Sequence, residues 1–144
     1  VRRRRGTAWE MLGVEIPAVI RDASQALLNV VEKGGLTPPD WPDVVAASGL
    51  DASLAVDARG FLVDSGLAVQ PIEGLLFSFA SVDQFRAAVV AQLQGKGMDI
   101  PALRDRFQTS RKFVMPLLEY LDECGVTERR GPNRLLRDAS AALL

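Results

Sequence analysis

Apolar residues recur at helical spacing along this chain, and the pattern of apolar and turn positions repeats after 59 residues without a gap. Three of the aligned pairs are Trp41-Pro42 with Ile100-Pro101, Phe61-Leu62 with Tyr120-Leu121, and Gly66 with Gly125. The apolar and turn residues match between the two copies, whereas the charged residues do not. A core pattern that recurs at a fixed period indicates a repeated structural unit, so the chain is predicted to use one fold twice.

In the first copy, the spacing of apolar residues predicts three helices followed by two short strands. The predicted helices cover residues 21–33, 42–48 and 52–65, and the predicted strands cover 67–69 and 75–77. Asp51 stands where the third helix needs an N-cap, and Gly66 stands where it must end.

The second copy repeats this order of elements. Its helices are predicted at 81–93, 101–107 and 110–125, and its strands at 126–129 and 134–137. Three helices followed by a hairpin is the winged-helix arrangement, in which the second and third helices form a helix-turn-helix and the hairpin is the wing. We therefore predict a mainly α fold with small β-hairpins, built as two tandem winged-helix domains at 21–80 and 81–144. Residues 1–20 are interpreted as the tail of a preceding domain or a linker.

Composition excludes several classes of protein. The chain has 144 residues, of which 48% are apolar, and this composition is typical of a globular protein. Its net charge is −1, so its overall charge does not attract a polyanion. Histidine is absent and Cys124 is the only cysteine, which excludes an internal disulfide, a His/Cys zinc site and a His-based triad. We expect no enzyme activity, cofactor or metal, a cytoplasmic location and no membrane contact. The chain lacks an initiating Met, so we interpret it as a fragment of a longer protein.

The candidate chemistry lies where the charges of the two copies differ. Asp51-Ala52-Ser53 aligns with Ser110-Arg111-Lys112, at the start of the third helix. Cations are poorly placed there, because the N-terminus of a helix is already partly positive. A phosphate docked at this point would meet free backbone N–H groups, the helix dipole and two cations together. Ser110, Arg111 and Lys112 are therefore candidate phosphate contacts.

The second wing carries further cations, at Arg129, Arg130 and Arg134, and we expect the hairpin to lie beside that helix end. Successive strand residues face opposite ways, so only some of these cations can share a surface. Arg130 and Arg134 flank the turn and are the best candidates to do so. Together the helix and the wing form a local basic patch, which is the electrostatic signature of a nucleic-acid binder. The first copy has no such patch, so we predict that it does not bind phosphate and is a spacer or a surface for protein contacts.

The remaining residues of the third helix and its end are predicted to be structural. Val114, Leu117, Leu118 and Leu121 share one helical face and should pack inward. Cys124, next to the helix end, is predicted to be a small buried apolar side chain.

The second copy also resembles a known family. The residues that carry the resemblance are Thr109-Ser110-Arg111-Lys112-Phe113, Pro116-Leu117-Leu118-Glu119-Tyr120-Leu121-Asp122, Gly125-Val126-Thr127, Gly131 and Arg134. This pattern is similar to the last winged-helix domain of the bacterial selenocysteine-specific elongation factor, SelB. The first copy then resembles the penultimate winged-helix domain, and residues 1–20 the end of the domain before it.

The resemblance implies a function for the whole factor. It would be a GTPase that carries selenocysteinyl-tRNA to the ribosome, tethered by its C-terminal winged helices to an mRNA hairpin beside a UGA codon. By motif position, the implied RNA contacts are Ser110, Arg111, Lys112, Arg129 and Arg134. The sequence departs from the family at Glu128, where a second wing arginine is usual, and Arg130 occupies a position that is usually apolar. The chain is expected to act as a monomer and to hold no cofactor.

Two other functions remain open at this stage. A DNA-binding winged-helix regulator would need basic or amide residues further along the third helix for base readout, yet 113–122 is mostly apolar or acidic. A protein–protein interaction module would use the basic patch to dock an acidic partner. If the chain binds an mRNA hairpin, a specific RNA hairpin should outcompete duplex DNA of equal charge. Neither of the two other functions predicts this preference.

Overall fold

The computed structural model describes residues 16–137. Most of the predicted tail at 1–20, including the arginine run at 2–5, lies outside the described residues. Six helices and two antiparallel hairpins lie within the described part, which confirms a mainly helical fold of two tandem winged helices.

The first copy contains three helices and a hairpin. They are α1 (Ala18–Gly34), α2 (Trp41–Ser48), α3 (Ala52–Asp64), β1 (Ala68–Ile72) and β2 (Leu75–Ser78). Helix α1 begins three residues earlier than its apolar spacing predicted. Helix α3 begins at Asp51, whose side chain accepts a hydrogen bond of 2.9 Å from the N–H of Leu54. This bond satisfies one of the N–H groups that have no partner inside the helix.

The second copy has the same order of elements. They are α4 (Phe79–Gln94), α5 (Ile100–Phe107), α6 (Arg111–Glu123), β3 (Thr127–Arg130) and β4 (Asn133–Leu136). Both ends of α2 and α5, and both ends of α3 and α6, are offset by 59 residues. The glycines after α3 and α6 also adopt the same left-handed backbone, with φ of 80° at Gly66 and 79° at Gly125. The repeat seen in the sequence is therefore a repeat of local structure.

The chain divides into two compact units, whose described parts are 16–81 and 82–137. In the first unit, α1 packs against α3, and a single apolar cluster fills the space between the helices and the hairpin. Leu27, Val31 and Val44 are fully buried in it. The opposite, polar faces of these helices remain in solvent, as expected for surface helices of a small domain.

In the second unit, the predicted inner face of α6 is confirmed. Val114, Leu117, Leu118 and Leu121 are all at most 2% exposed. They share the core with Phe85 and Val89 of α4 and Leu103 of α5, which are also buried. The prediction for Cys124 was wrong, because its side chain is exposed. It is the residue that follows the last turn of α6, where the chain has already left the buried face.

The register of the second hairpin decides which wing residues share a face. Arg129 lies directly opposite Arg134, and Arg130 lies opposite Asn133. Residues directly opposite in an antiparallel pair project to the same face, whereas neighbours along a strand project to opposite faces. Arg134 therefore shares a face with Thr127 and Arg129, and Arg130 projects to the other face.

Candidate nucleic-acid interface

The N-cap residue of α6 makes no capping hydrogen bond with its side chain. Ser110 is the N-cap, with extended backbone angles (φ −140°, ψ 170°), and its carbonyl accepts from the N–H of Val114. Its hydroxyl makes no capping hydrogen bond, whereas Asp51 and Asp99 cap α3 and α5 in the same position. The Ser110 side chain therefore leaves the first turn of α6 without the cap that Asp51 and Asp99 give to α3 and α5.

Two cations project from this first turn. Arg111 and Lys112 are both exposed, and the first turn holds no acidic residue. Arg111 has no ion pair within residues 16–137, and the Lys112 Nζ lies 5.2 Å from the centroid of the Phe113 ring. Backbone donors, the positive end of the dipole and two cations thus point outward together, which is an arrangement suited to an anion. We call Ser110, Arg111 and Lys112 the helix-tip group.

The wing provides a second exposed group of cations. Arg129 is exposed, and its Nε donates to the carbonyl of Gly131 at 3.3 Å. Arg130 is also exposed, and it forms an ion pair with Glu128 on the same strand and the same hairpin. A surface pair of this kind contributes little to stability and exchanges readily with solvent or another anion. We call Arg129 and Arg130 the wing group.

Arg134 is placed differently from the other candidates. Its side chain is only 7% exposed, and it forms a forked ion pair with Asp122 in the last turn of α6. The Nε lies 3.2 Å from both carboxylate oxygens, and the Nη2 lies 3.0 Å from Oδ2. Thr127 is buried as well and donates its hydroxyl to the same carboxylate. The expected pairing of Arg130 with Arg134 on one surface is therefore wrong, and Arg134 faces the protein.

The second hairpin is joined to the C-terminal end of α6. Asp122 lies eleven residues after Arg111, which corresponds to about 16 Å along the axis of α6 at 1.5 Å per residue. The contacts of Asp122 with the two strands anchor the base of the wing at the last turn of α6, not at its first turn. Asp122 thus fixes the base of the wing to α6 through both strands of the hairpin.

The charge of the two described units is strongly asymmetric. Residues 16–81 contain three Lys/Arg and eight Asp/Glu, whereas residues 82–137 contain ten Lys/Arg and seven Asp/Glu. The net charges are therefore −5 and +3, although the whole chain is close to neutral. Only the second unit has a field that attracts a polyanion.

Two cations at the end of α5 were not among the candidate site residues predicted from the sequence. Arg104 and Arg106 align with Val45 and Ala47 of the first copy, so the 59-residue comparison would have found them. Arg106 is exposed, with its guanidinium carbon 5.3 Å from the centroid of the Phe107 ring. The Nε of Arg104 is buried and has no hydrogen-bond partner within the described chain.

The turn between α5 and α6 also holds an unusual backbone. Gln108 has a φ of +51°, and it is the only residue other than glycine with a positive φ in the described part. Its counterpart in the first copy is Gly49, with a φ of 76°. A side chain in the left-handed region costs free energy that glycine avoids.

In the first unit, the residues at the matching positions contact other residues of the same unit. Arg59 is the only cation of α3, and its guanidinium stacks over Trp41 at 4.2 Å from the ring centroid. The backbone N–H of Trp41 in turn donates to the carbonyl of Gly74, in the turn of the first wing. The helix cap is the carboxylate of Asp51, which repels a phosphate.

Two kinds of feature are absent from the described residues, 16–137. No helix in this range is long and apolar enough to cross a membrane. No group of three or more His, Cys, Asp or Glu side chains in the same range is arranged to hold a metal ion.

The second unit is similar to part of a known translation factor. Residues 91–136 match the family model of the winged helix of elongation factor SelB. The selenocysteine-specific elongation factor of Desulfomicrobium baculatum is 27% identical over 106 residues, which is 73% of this chain and 17% of that protein. The same factor of Escherichia coli K12 is 53% identical over 36 residues, 25% of this chain and 6% of the relative. The chain thus spans less than a fifth of the length of these relatives.

Two solved structures share the fold. The mRNA-binding domain of E. coli SelB in complex with SECIS RNA aligns with a TM-score of 0.66 and 22% identity, over 85% of this chain and all of that one. A bacterial selenocysteine-specific elongation factor, EF-Sec, aligns with the same TM-score and 21% identity, over 87% of this chain and 20% of that one.

The architecture and these matches define a tandem winged-helix protein. Within that class, the resemblance of the chain to the C-terminal winged-helix region of SelB is confirmed.

Proposed function

We propose that this chain is the RNA-binding tail of a selenocysteine-specific elongation factor, and that its second winged helix binds an mRNA stem-loop of the SECIS type. The observation that carries this proposal is the helix-tip group, where the N-cap Ser110 makes no capping bond and the exposed Arg111 and Lys112 stand at the positive end of the helix. The SECIS RNA bound by the E. coli neighbour supports the same ligand class. Through the rest of the factor, the tail would tether selenocysteinyl-tRNA and a GTPase to the ribosome in the cytoplasm.

An RNA hairpin suits this surface better than duplex DNA does. A-form RNA has a deep, narrow major groove that a helix cannot read, so recognition falls on backbone phosphates and on splayed loop bases. The helix-tip group offers contacts of that kind at one end of α6. Further along the exposed side of α6 stand Glu119 and Glu123, which would repel the backbone of a DNA duplex.

We assign the direct RNA contacts to Ser110, Arg111 and Lys112 at the helix tip and to Arg129 and Arg130 on the wing. The ion pair of Arg130 with Glu128 is exposed, so a phosphate can replace the carboxylate at little cost. The first winged helix acts as a spacer, since its helix cap is a carboxylate and Arg59 is engaged by Trp41. Neither unit is proposed to catalyse a reaction or to need a cofactor or metal, and the chain is proposed to act as a monomer.

The test is a titration of the 144-residue chain with a synthetic SECIS stem-loop at near-physiological salt. Competitors are the same stem with a scrambled loop and a DNA duplex of equal charge. We expect the intact stem-loop to bind at least tenfold more tightly than either competitor. Equal, weak binding to all three would reduce the basic surface to general electrostatics and reopen the DNA and protein-partner alternatives.

A further inference from the structure

Three positions change character together between the two copies. Val63, Ala68 and Leu75 of the first unit align with Asp122, Thr127 and Arg134 of the second. In the first unit these side chains are apolar, and Ala68 belongs to the main core cluster. In the second unit they form one network, in which the Asp122 carboxylate accepts from the Thr127 hydroxyl and from the Arg134 guanidinium. We call Asp122, Thr127 and Arg134 the wing-base network.

This network is not needed to form the fold. The first unit forms the same order of helices and hairpin with apolar side chains at all three positions, although its hairpin has a β-bulge and a different register. A buried ion pair stabilises a protein weakly, because the cost of removing two charges from water offsets much of their attraction. The polar side chains therefore serve a purpose that apolar packing does not.

The second wing also lacks the apolar anchors of the first. All four residues of β2 are buried, and they include Leu76 at 2% and Phe77 at 0% exposure. Their counterparts are Leu135, at 51% exposure, and the half-buried Leu136. Arg134 is the one buried residue of β4. Its ion pair with Asp122 ties this strand to α6.

We propose that the wing-base network is a positioning device that fixes the second wing on α6 and so sets where Arg129 and Arg130 meet RNA. This inference rests on the proposed function. The forked Arg134–Asp122 pair fixes direction as well as distance, since two parallel N–H···O bonds define a plane. Arg129 lies directly opposite Arg134 in the hairpin, so a displacement of Arg134 also displaces Arg129. Arg134 is then a positioning residue and not an RNA contact.

The variant Asp122→Asn separates these two roles by the sign of its effect. If Arg134 positions the wing, loss of the carboxylate loosens the hairpin, and affinity for the SECIS stem-loop falls about tenfold although the protein has become more positive. If Arg134 contacts phosphate, the variant frees its guanidinium and affinity rises. The control is Glu123→Gln, the same charge change on the adjacent exposed residue, for which we expect unchanged or slightly higher affinity. A rise in affinity for Asp122→Asn overturns the proposal.

A second variant transfers the first-copy residues into the second copy, as Asp122→Val, Thr127→Ala and Arg134→Leu together. We expect this graft to unfold at a temperature at or above that of wild type, because no charge is left buried without a partner. We expect its affinity for the stem-loop to fall about tenfold. A folded graft with wild-type affinity would show that the network does not position the wing.

Hydrogen exchange of the wing amides in the free protein tests the device without RNA. In Asp122→Asn, we expect exchange in β3 and β4 to accelerate at least tenfold while exchange in the middle of α6 is unchanged. Unchanged wing exchange overturns the proposal even if the stem-loop binds. If wild type fails to distinguish the intact loop from the scrambled one, the proposed function fails, whereas accelerated wing exchange would still support the network as an anchor.

Discussion

Replacing Ser110 by Asp should move stability and RNA affinity in opposite directions. Ser110 has the extended backbone of an N-cap, but its hydroxyl makes no capping bond. In the first copy, Asp51 holds the aligned position and caps the N–H of Leu54 at 2.9 Å. The substitution therefore gives α6 the cap that α3 already has, and places a carboxylate where we propose that RNA phosphate docks.

The gain in stability follows from two contributions. A side-chain N-cap is worth about 1 kcal/mol. A carboxylate at the positive end of the helix dipole adds roughly 0.3–1 kcal/mol at an exposed site. The exposed Arg111 and Lys112 attract the same carboxylate. We expect a total gain of about 1–2 kcal/mol, and each kcal/mol raises the midpoint of thermal unfolding by roughly 4–8 °C for a domain of this size.

The loss of affinity has a similar origin. The new carboxylate occupies the backbone donors and repels phosphate, so we expect the loss of charge-assisted contacts worth about 1–3 kcal/mol. That corresponds to roughly a 5- to 150-fold rise in the dissociation constant, at tenfold per 1.4 kcal/mol. The assays are thermal unfolding and titration with the SECIS stem-loop at fixed salt.

Two controls give this prediction its specificity. Ser110→Ala has no capping bond to lose, so its unfolding midpoint should stay close to that of wild type. Ser53→Asp adds the same charge to the exposed first turn of α3 and should leave affinity for the stem-loop unchanged. A Ser110→Asp protein that gains stability and binds RNA as tightly as wild type would refute phosphate docking at α6.

Three other substitutions test the assignment. Arg111→Ala should weaken stem-loop binding by about 1–3 kcal/mol and lower the slope of log affinity against log salt by about 0.7, while the unfolding midpoint is unchanged. An unaltered slope would remove Arg111 from the interface. Asp51→Ala should cost about 1 kcal/mol of stability through its lost cap and leave RNA affinity intact; weaker binding would mean that both copies touch RNA. Gln108→Gly should stabilise the chain by up to about 1 kcal/mol by relieving its left-handed backbone, and lower stability would contradict that account.

The division of labour between the two copies follows from charge placed on a shared scaffold. The second unit has a net charge of +3 and exposes its helix-tip cations, whereas the first has a net charge of −5 and pairs Arg59 with Trp41. Within residues 16–137, long-range attraction therefore draws a polyanion to the second unit and not to the first. The predictions for Ser110, Arg111 and Asp51 all depend on this asymmetry.

The sequence by itself determined the repeat, the order of elements and the helix-tip group. These features are local, because apolar spacing, capping residues and glycines act within a few residues of one another. For that reason the starts of α3 and α6, and the inner face of α6 at Val114 and Leu117, were predicted closely from the sequence.

Only the tertiary structure decided the role of the wing arginines. Which face Arg130 and Arg134 take depends on the strand register, because a shift of one residue exchanges the faces of every side chain. The partner of Arg134 is Asp122, twelve residues earlier in the chain and on another element. Such a pairing is a long-range contact that no local pattern encodes. For that reason a residue predicted to bind RNA lies instead in a partly buried ion pair at the base of the wing.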